Sequence, residues 1–250
     1  MTAISHFIHR SFALPSYFVN AVTPPVCLAC HTPIAQAGYL CPECWKEIQF
    51  ISPPFCDRLG TPFPYDPGYD FISPRALENP PSFTRARASF LYEGLGRQLI
   101  HNYKYKRQLF IAPILAKMMM VAGANLLEES DVILPVPLHW SRVLKRGFNQ
   151  SARLCLEIAT QSEKPLLLRA LRRKNRTQTQ VGLAAREREK NVSRAFTIEP
   201  KYYENIVGKR ILLIDDVLTS GATANACAKT LLKAGALDVN LLVAALVMEK

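Results

Sequence analysis

The sequence predicts an α/β protein in which a mostly parallel, doubly wound sheet follows a small cysteine-rich module. From residue 84 onward, short apolar segments of strand length alternate with segments of helical spacing, an order typical of parallel β–α units. Four of the seven cysteines lie before residue 51, and eight of the eighteen prolines lie in residues 52–82. We therefore expect an N-terminal lead (1–23), a four-cysteine finger (24–50), a proline-rich linker (51–83) and an α/β domain (84–250), with no evident internal repeat.

The strands and helices follow from apolar patterning and local stop signals. Residues 211–214 and 239–247 are almost entirely apolar, which predicts strands buried on both faces of a parallel sheet. Residues 149–160 have apolar side chains at helical spacing, and Asn149 is a favourable N-cap. Gly235 is expected to end the helix that follows the turn after residue 214. The remaining predicted elements are strands at 87–93, 132–136 and 166–168 and a helix at 110–127.

The most informative segment joins a buried strand to a helix. Residues 211–214 run directly into two carboxylates, and a turn rich in hydroxyl groups and glycine follows. Open α/β sheets bind ligands at the carboxyl ends of their strands, and a helix N-terminus is a receptor for phosphate. A ligand with hydroxyls and a phosphate, such as a ribose 5-phosphate, suits this combination. The candidate residues are Asp215, Asp216, Thr219, Ser220, Gly221, Ala222 and Thr223.

The alternative interpretation of this segment is an ordinary strand–turn–helix unit with a capped helix. Two adjacent acids at the end of a buried strand are costly without a partner. We therefore favour the functional interpretation.

Two C-x-x-C pairs indicate a structural zinc site. Cys27, Cys30, Cys41 and Cys44 can bring four thiolates to one point, which fills a tetrahedral shell and leaves no position open for catalysis. Disulfides and redox-active pairs are the competing interpretations. Disulfides are disfavoured because no secretory signal is evident. Cys56 stands apart from the cluster.

The formal charge of +11 is concentrated in two basic stretches. Residues 169–194 contain nine basic and two acidic side chains, which suits pyrophosphate, nucleic acid or an acidic partner protein. A second stretch lies just before the helix that begins near Asn149, where it can form another anion site. Plain solvated loops are the alternative for both. The candidates for pyrophosphate or nucleic-acid binding are Lys145, Arg146, Arg173 and Arg176.

Several function classes are excluded or disfavoured. No segment is long and apolar enough to span a bilayer, residues 4–22 lack a convincing signal cleavage site, and no G-x-x-x-x-G-K-[ST] loop of an ATP-driven motor is present. We expect a cytoplasmic protein.

Residues 215–223 resemble the signature of the type I phosphoribosyltransferases, and the chain as a whole resembles the competence protein F (ComF) family. The matches recur in order along the chain: Tyr92-Glu93-Gly94, Tyr103-Lys104-Tyr105, Pro135-Val136-Pro137-Leu138, Arg146-Gly147-Phe148-Asn149-Gln150, Arg176-Thr177 with Gln180 and Leu183, Asn191-Val192, Ala195-Phe196 and the 215–223 signature.

The resemblance implies a type I phosphoribosyltransferase-like fold behind a zinc finger. In that family the paired acids hold the ribose hydroxyls of phosphoribosyl pyrophosphate (PRPP), so Asp215 and Asp216 are the expected ribose-binding and catalytic residues. The turn at 219–223 would hold the 5′-phosphate, and Mg²⁺ would accompany the ligand. One departure is the segment Cys56-Asp57-Arg58-Leu59-Gly60, where many relatives carry a further C-x-x-C-G, so a second metal is doubtful.

Two functions follow from the resemblance. The first is a PRPP-binding protein of natural transformation that handles incoming single-stranded DNA, with other competence proteins as partners. Under it, the basic residues and aromatics such as Tyr103, Tyr105 and Phe148 would contact the strand. The second is an active phosphoribosyltransferase of nucleotide metabolism or salvage with an unidentified acceptor and no DNA role.

Overall fold

The computed structural model describes residues 24–66, 68, 71–105, 108–138, 144, 147–173 and 195–248. Four strands form one parallel sheet in the order β1–β6–β5–β2, and β3 and β4 form a separate antiparallel pair. The elements are α1 (Pro42–Lys46), α2 (Pro74–Glu78), β1 (Ala86–Leu91), α3 (Gly94–Tyr105), α4 (Ala112–Ala122), α5 (Ala124–Glu129), β2 (Val132–Pro135), α6 (Gln150–Ser162), β3 (Leu171–Arg173), β4 (Phe196–Ile198), β5 (Arg210–Leu218), α7 (Ala222–Lys233) and β6 (Asp238–Leu246).

The central strand β5 is buried on both faces, as its unbroken apolar run predicts. Leu212 and Ile214 pack in a core that contains buried residues of α3, α4, α5 and α6. Ile211 and Leu213 pack in a second core that contains buried residues of α7, β3 and β4. Helices therefore cover both faces of a parallel sheet, and the predicted fold class is confirmed.

Some predicted boundaries are wrong, for identifiable reasons. The helix at 110–127 is split at Gly123, where a Cβ atom would lie 2.5 Å from Leu242. The predicted strand at 166–168 is reduced to one parallel bridge between Leu166 and Ile133. Helix α3 was missed, because Gly94 and Gly96 are weak helix formers near its start.

The N-terminal module is joined to the edge of the sheet by backbone pairing. Phe50 forms an antiparallel bridge with Phe90 of β1. The N–H of Ile51 donates to the carbonyl of Ser89, and the N–H of Leu91 donates to the carbonyl of Gln49. The segment after this pairing, which we predicted to be a linker, contains α2 and packs on β1 through its own hydrogen bonds. Among the described residues, no helix has the length and apolarity that crossing a bilayer requires.

Candidate functional site

The two adjacent acids lie inside β5 rather than after its end. The strand continues to Leu218 because β6 pairs with it over its whole second half, with Val217 opposite Ala245. Our prediction of the strand's end was therefore short. The acids nevertheless lie in the last part of the strand, at the carboxyl edge of the sheet where α/β proteins bind ligands.

Asp216 is buried and forms an ion pair with Lys104. The Nζ of Lys104 lies 2.8 Å from Oδ1 of Asp216, and the two side chains are 15% and 10% exposed. Lys104 is held there by its neighbour Tyr103, whose hydroxyl donates to the carbonyl of Gln150 at 2.8 Å. The last turn of α3 is thereby fixed against the first turn of α6, and a cation is placed beside the acid pair.

Asp215 is half-buried, and the hydrogen-bond donors that reach it from the described residues are neutral. Its Oδ1 accepts from the hydroxyl of Ser151 and from the backbone N–H of Asp216, both at 2.8 Å. Burial, together with the nearby charge of Asp216, raises the pKa of Asp215 to about 7. Because both acids have partners within the protein, the cost of burying them does not by itself identify a ligand.

The turn at 219–223 forms an uncapped helix N-terminus. Gly221 adopts a φ of 75°, a left-handed conformation that favours glycine, and as the N-cap of α7 it has no side chain with which to cap the first turn. Thr219, Ser220 and Ala222 are exposed. The first N–H groups of a helix have no partner within the helix, so this end can receive an anion.

A cavity of about 70 Å³ connects the turn with Asp215, whereas Asp216 is not among its lining residues. Its walls include Asp215, the five residues of the turn, and Leu241 and Val243 of β6. The structure therefore brings together the predicted ribose-binding acid and the whole predicted phosphate-binding turn in one concave site.

Of the four basic residues predicted to bind pyrophosphate or nucleic acid, the structure describes one. Arg173 ends β3, with its guanidinium 5.5 Å from the ring centroid of Phe196 in β4. Lys145, Arg146 and Arg176 lie outside the described residues.

Among the predicted DNA-stacking aromatics, Tyr103 is fully buried and cannot stack on a base, which corrects our prediction. Tyr105 is 56% exposed and Phe148 is half-buried.

Sequence reasoning missed two site residues, Lys104 and Ser151. Lys104 lies in the Tyr103-Lys104-Tyr105 motif, and the sequence alone assigns no role to its cation. Ser151 follows the N-cap Asn149, whose side chain accepts from the N–H groups of Ser151 and Ala152 as predicted. Two signals were available: a lysine between two tyrosines, and a serine in the first turn of a helix. Neither signal indicates which strand the side chain contacts in the folded protein.

The four N-terminal cysteines form a compact set of thiols. Their sulfur atoms all lie within 4.8 Å of one another, and Sγ of Cys30 and Sγ of Cys41 are 3.7 Å apart. Backbone N–H groups of Ala29 and Cys41 point at Sγ of Cys27, at 3.5 and 3.2 Å. Such N–H groups stabilise thiolate charge, and four sulfurs in this arrangement fit structural zinc.

Comparison with known proteins agrees with this combination of modules. Residues 18–73 match the double zinc ribbon domain family. Competence protein F of Haemophilus influenzae is 30% identical over 211 residues, which cover 82% of this chain and 89% of that protein. The DNA utilization protein YhgH of Escherichia coli K12 is 29% identical over 222 residues, with 86% of this chain and 94% of that protein covered.

Two solved structures are similar to this chain at lower identity. One is the glutamine PRPP amidotransferase of B. subtilis complexed with ADP and GMP, at 21% identity and a TM-score of 0.39, covering 57% of this chain and 30% of that one. The other is the phosphoribosylpyrophosphate synthetase of Mycobacterium smegmatis, at 16% identity and a TM-score of 0.34, covering 53% of this chain and 33% of that one.

The fold and its sites define a class of protein: a parallel α/β domain with an acid pair in its central strand and an uncapped helix N-terminus after that strand, behind a zinc ribbon. Within that class, the extent and identity of the match to the H. influenzae protein place the chain in the competence protein F family.

Proposed function

We propose that this protein binds PRPP at the carboxyl end of β5 and acts in the cellular use of DNA. The observation that carries the proposal is the cavity shared by Asp215 and the turn at 219–223. Carboxylates accept hydrogen bonds from vicinal hydroxyls, and an uncapped helix N-terminus receives a phosphate. A pentose 5-phosphate presents both groups at a separation that one strand-to-helix turn can span.

The acid pair and Lys104 suit the ribose and its pyrophosphate. On ligand binding, the ribose hydroxyls would donate to Asp215 and Asp216. Lys104, whose ammonium lies beside Asp216, would then also face the anionic group at C1. Mg²⁺ would be held mainly by the ligand's own oxygens, since this ion keeps several non-protein ligands.

Titration calorimetry with PRPP and Mg²⁺ tests this proposal. We expect micromolar to millimolar binding by the wild type. The Asp215→Asn, Asp216→Asn double variant should bind at least tenfold more weakly, because a tenfold loss of affinity corresponds to ~1.4 kcal/mol, the value of one hydrogen bond to a charged group. The matched control is Asp131→Asn, because Asp131 pairs with Arg210 at the opposite end of the same strand. Equal affinity of the wild type and the double variant would refute the proposed site.

The role in DNA use rests on the relatives, which are named for competence and for DNA utilization. We expect single-stranded oligonucleotides to bind with an affinity that falls steeply with salt, because basic side chains would release counterions from the strand. Tyr105→Ala should weaken this binding, since that ring is exposed and adjacent to Lys104. Tyr203→Ala, at another exposed tyrosine, is the control. Binding that does not respond to salt would argue against a DNA role.

A second candidate function is transfer of phosphoribose to an acceptor. The observation that favours it is the position of Asp215, whose carboxyl lines the cavity beside the turn at 219–223. Burial raises the pKa of this carboxyl to about 7, which suits a group that accepts a proton at neutral pH. In such a reaction the acceptor would attack the ribose C1 as pyrophosphate leaves. Pyrophosphate release in the presence of purine and pyrimidine acceptors, and its loss in Asp216→Ala, would support transfer. PRPP binding without turnover would leave binding as the function.

A further inference from the structure

The backbone of residues 26–33 is repeated at residues 55–62, although the sequence shows no evident repeat. Each segment closes with an antiparallel bridge, between Val26 and Pro33 and between Phe55 and Pro62. In each turn the N–H of the leading cysteine donates to a threonine carbonyl at 2.8 Å, from Cys27 to Thr32 and from Cys56 to Thr61.

The same two turns share a further backbone feature. In each turn, the residue four positions after the leading cysteine donates its N–H to the carbonyl of that cysteine. His31 donates to Cys27 at 3.1 Å, and Gly60 donates to Cys56 at 2.8 Å. Both residues adopt the left-handed conformation, with φ values of 62° and 68°. The second turn therefore has the backbone of a zinc-binding knuckle.

The repeat extends to the second half of each unit. Leu28 donates its N–H to the carbonyl of Tyr39, and Asp57 donates to the carbonyl of Phe71, both at 3.1 Å. The N–H of Cys41 points at Sγ of Cys27 at 3.2 Å, and the N–H of Ser73 points at Sγ of Cys56 at 3.3 Å.

Both units then end in a five-residue helix. Cys41 is the N-cap of α1 and Ser73 is the N-cap of α2, and proline is the first residue of each helix. The double ribbon to which residues 18–73 are similar is therefore present as backbone in both halves.

The side chains at the ligand positions differ between the two units. The first unit has Cys27, Cys30, Cys41 and Cys44, whereas the corresponding residues of the second are Cys56, Leu59, Ser73 and Ala76. Leucine and alanine offer no ligand atom, and one buried thiol does not hold zinc. The second unit therefore does not fit the metal that a double zinc ribbon would contain.

Contacts with β1 hold the second unit together in place of a metal. Arg87 is 6% exposed and donates to the backbone carbonyl of Asp57 at 2.7 Å. It also forms an ion pair with the carboxylate of Asp57 at 2.5 Å, and its guanidinium lies 4.5 Å from the ring centroid of Phe55.

The backbone of β1 approaches the same turn. The N–H of Ala86 donates to the carbonyl of Arg58 at 2.9 Å. Gly60 lies against the carbonyl of Ala86 so closely that a Cβ atom there would be 2.7 Å from the oxygen. The turn is thus attached to the α/β domain from both of its sides.

We propose that residues 55–78 are a second zinc ribbon that has lost its metal and is held by Arg87 of β1 instead. The chain then binds one zinc ion, at the four N-terminal cysteines. The second unit is a fixed extension of the sheet, and metal removal acts on the first unit alone.

Metal analysis of the full chain tests the stoichiometry. We expect one zinc per chain in the wild type and in Cys56→Ala, and loss of zinc in Cys44→Ala. Two zinc ions in the wild type, or loss of zinc in Cys56→Ala, would overturn the proposal.

Rebuilding the site tests the correspondence of the positions. The triple variant Leu59→Cys, Ser73→Cys, Ala76→Cys should bind a second zinc, and cobalt loading should give about twice the tetrathiolate absorption of the wild type, whose N-terminal site supplies one such signal. The same triple variant with Cys56→Ala is the control and should return to the metal content and tetrathiolate absorption of the wild type. A folded triple variant that retains a single zinc would refute the correspondence.

The role of Arg87 is tested without any new metal site. Arg87→Met should lower the melting temperature by several degrees while the zinc content stays at one. Arg97→Met, at an exposed arginine of α3, is the control and should have little effect. An unchanged melting temperature in Arg87→Met would show that this residue does not replace the metal.

Discussion

The two ends of β5 hold carboxylates in opposite circumstances. At the amino end, Asp131 accepts from the guanidinium and the backbone N–H of Arg210, at 2.9 and 2.8 Å. This arginine lowers the pKa of Asp131 to about 2. At the carboxyl end, burial raises the pKa of Asp215 to about 7, and the charge of Asp216 adds to the effect.

The two ends differ in how completely a cation compensates each acid. Asp131 has a dedicated cation at a solvent-exposed site, and that pair is complete without any other molecule. In the described part of the chain, Lys104 is the cation paired with the acids at the other end, and it contacts only one of them. Acids with a perturbed pKa and too few neighbouring cations are common at functional sites.

Removing the cation at the carboxyl end is the strongest way to test this contrast. Lys104→Met leaves Asp216 buried without its ion-pair partner, and we expect the free energy of unfolding to fall by about 3 kcal/mol. Denaturant titration measures the change. Arg210→Met is the matched control and should cost much less, because its pair is exposed. Equal losses at both ends would remove the contrast.

The pH dependence of stability should have opposite signs at the two ends. Because the folded state raises the pKa of Asp215, it binds a proton that the unfolded chain releases, so this residue destabilises the fold progressively as pH rises from about 4 to 7. We expect Asp215→Asn to gain about 2 kcal/mol relative to wild type between pH 5 and pH 8.

Asp131→Asn provides the comparison for that pH series. The stabilisation from Asp131 is present above the unfolded pKa near 4 and is lost as pH falls through about 2. The variant should therefore be slightly less stable than wild type at neutral pH and equal to it at strongly acidic pH. Thermal melts across the pH range measure both variants, and parallel curves would contradict the assignment.

The hydroxyl of Ser151 tests the local support of Asp215. Ser151 is buried, and Ser151→Ala removes a hydrogen bond to the carboxylate, so we expect a loss of about 1 kcal/mol in unfolding free energy. The pKa of Asp215 should rise further, which NMR titration would detect. Ser162→Ala on the same helix is the control, since that hydroxyl donates to the carbonyl of Ile158 within α6.

Two glycines at the two ends give an effect on stability as small as that of Ser151→Ala, and they are the sharpest test of ligand binding. Gly208, before β5, and Gly221, after it, both adopt left-handed φ values and have room for a Cβ atom. Alanine at either position should cost about 1 kcal/mol of stability. Only Gly221→Ala should also weaken PRPP binding, because it alters the anion-receiving turn. Equal affinities of the two variants would argue against that turn as the phosphate site.

Much of the candidate site could be predicted because its chemistry is contiguous in the chain. The apolar run, Asp215, the turn at 219–223 and the helix start follow one another, so strand burial and helix capping alone indicate where they meet. The zinc cysteines were predictable for the same reason, since two short C-x-x-C turns each bring their ligands together locally.

Other features depended on packing between distant segments. The sequence alone determined a parallel sheet with an acid-bearing central strand, the helix start that follows it and one four-cysteine zinc module, because each depends on neighbouring residues. Only the tertiary structure decided that Lys104 and Ser151 contact the acids, that Tyr103 is buried, and that the described residues between 55 and 78 repeat the backbone of the zinc ribbon with a cysteine at one of its four ligand positions. Those facts arise where helices dock on the sheet and where backbone hydrogen bonds, rather than residue identities, define a shape.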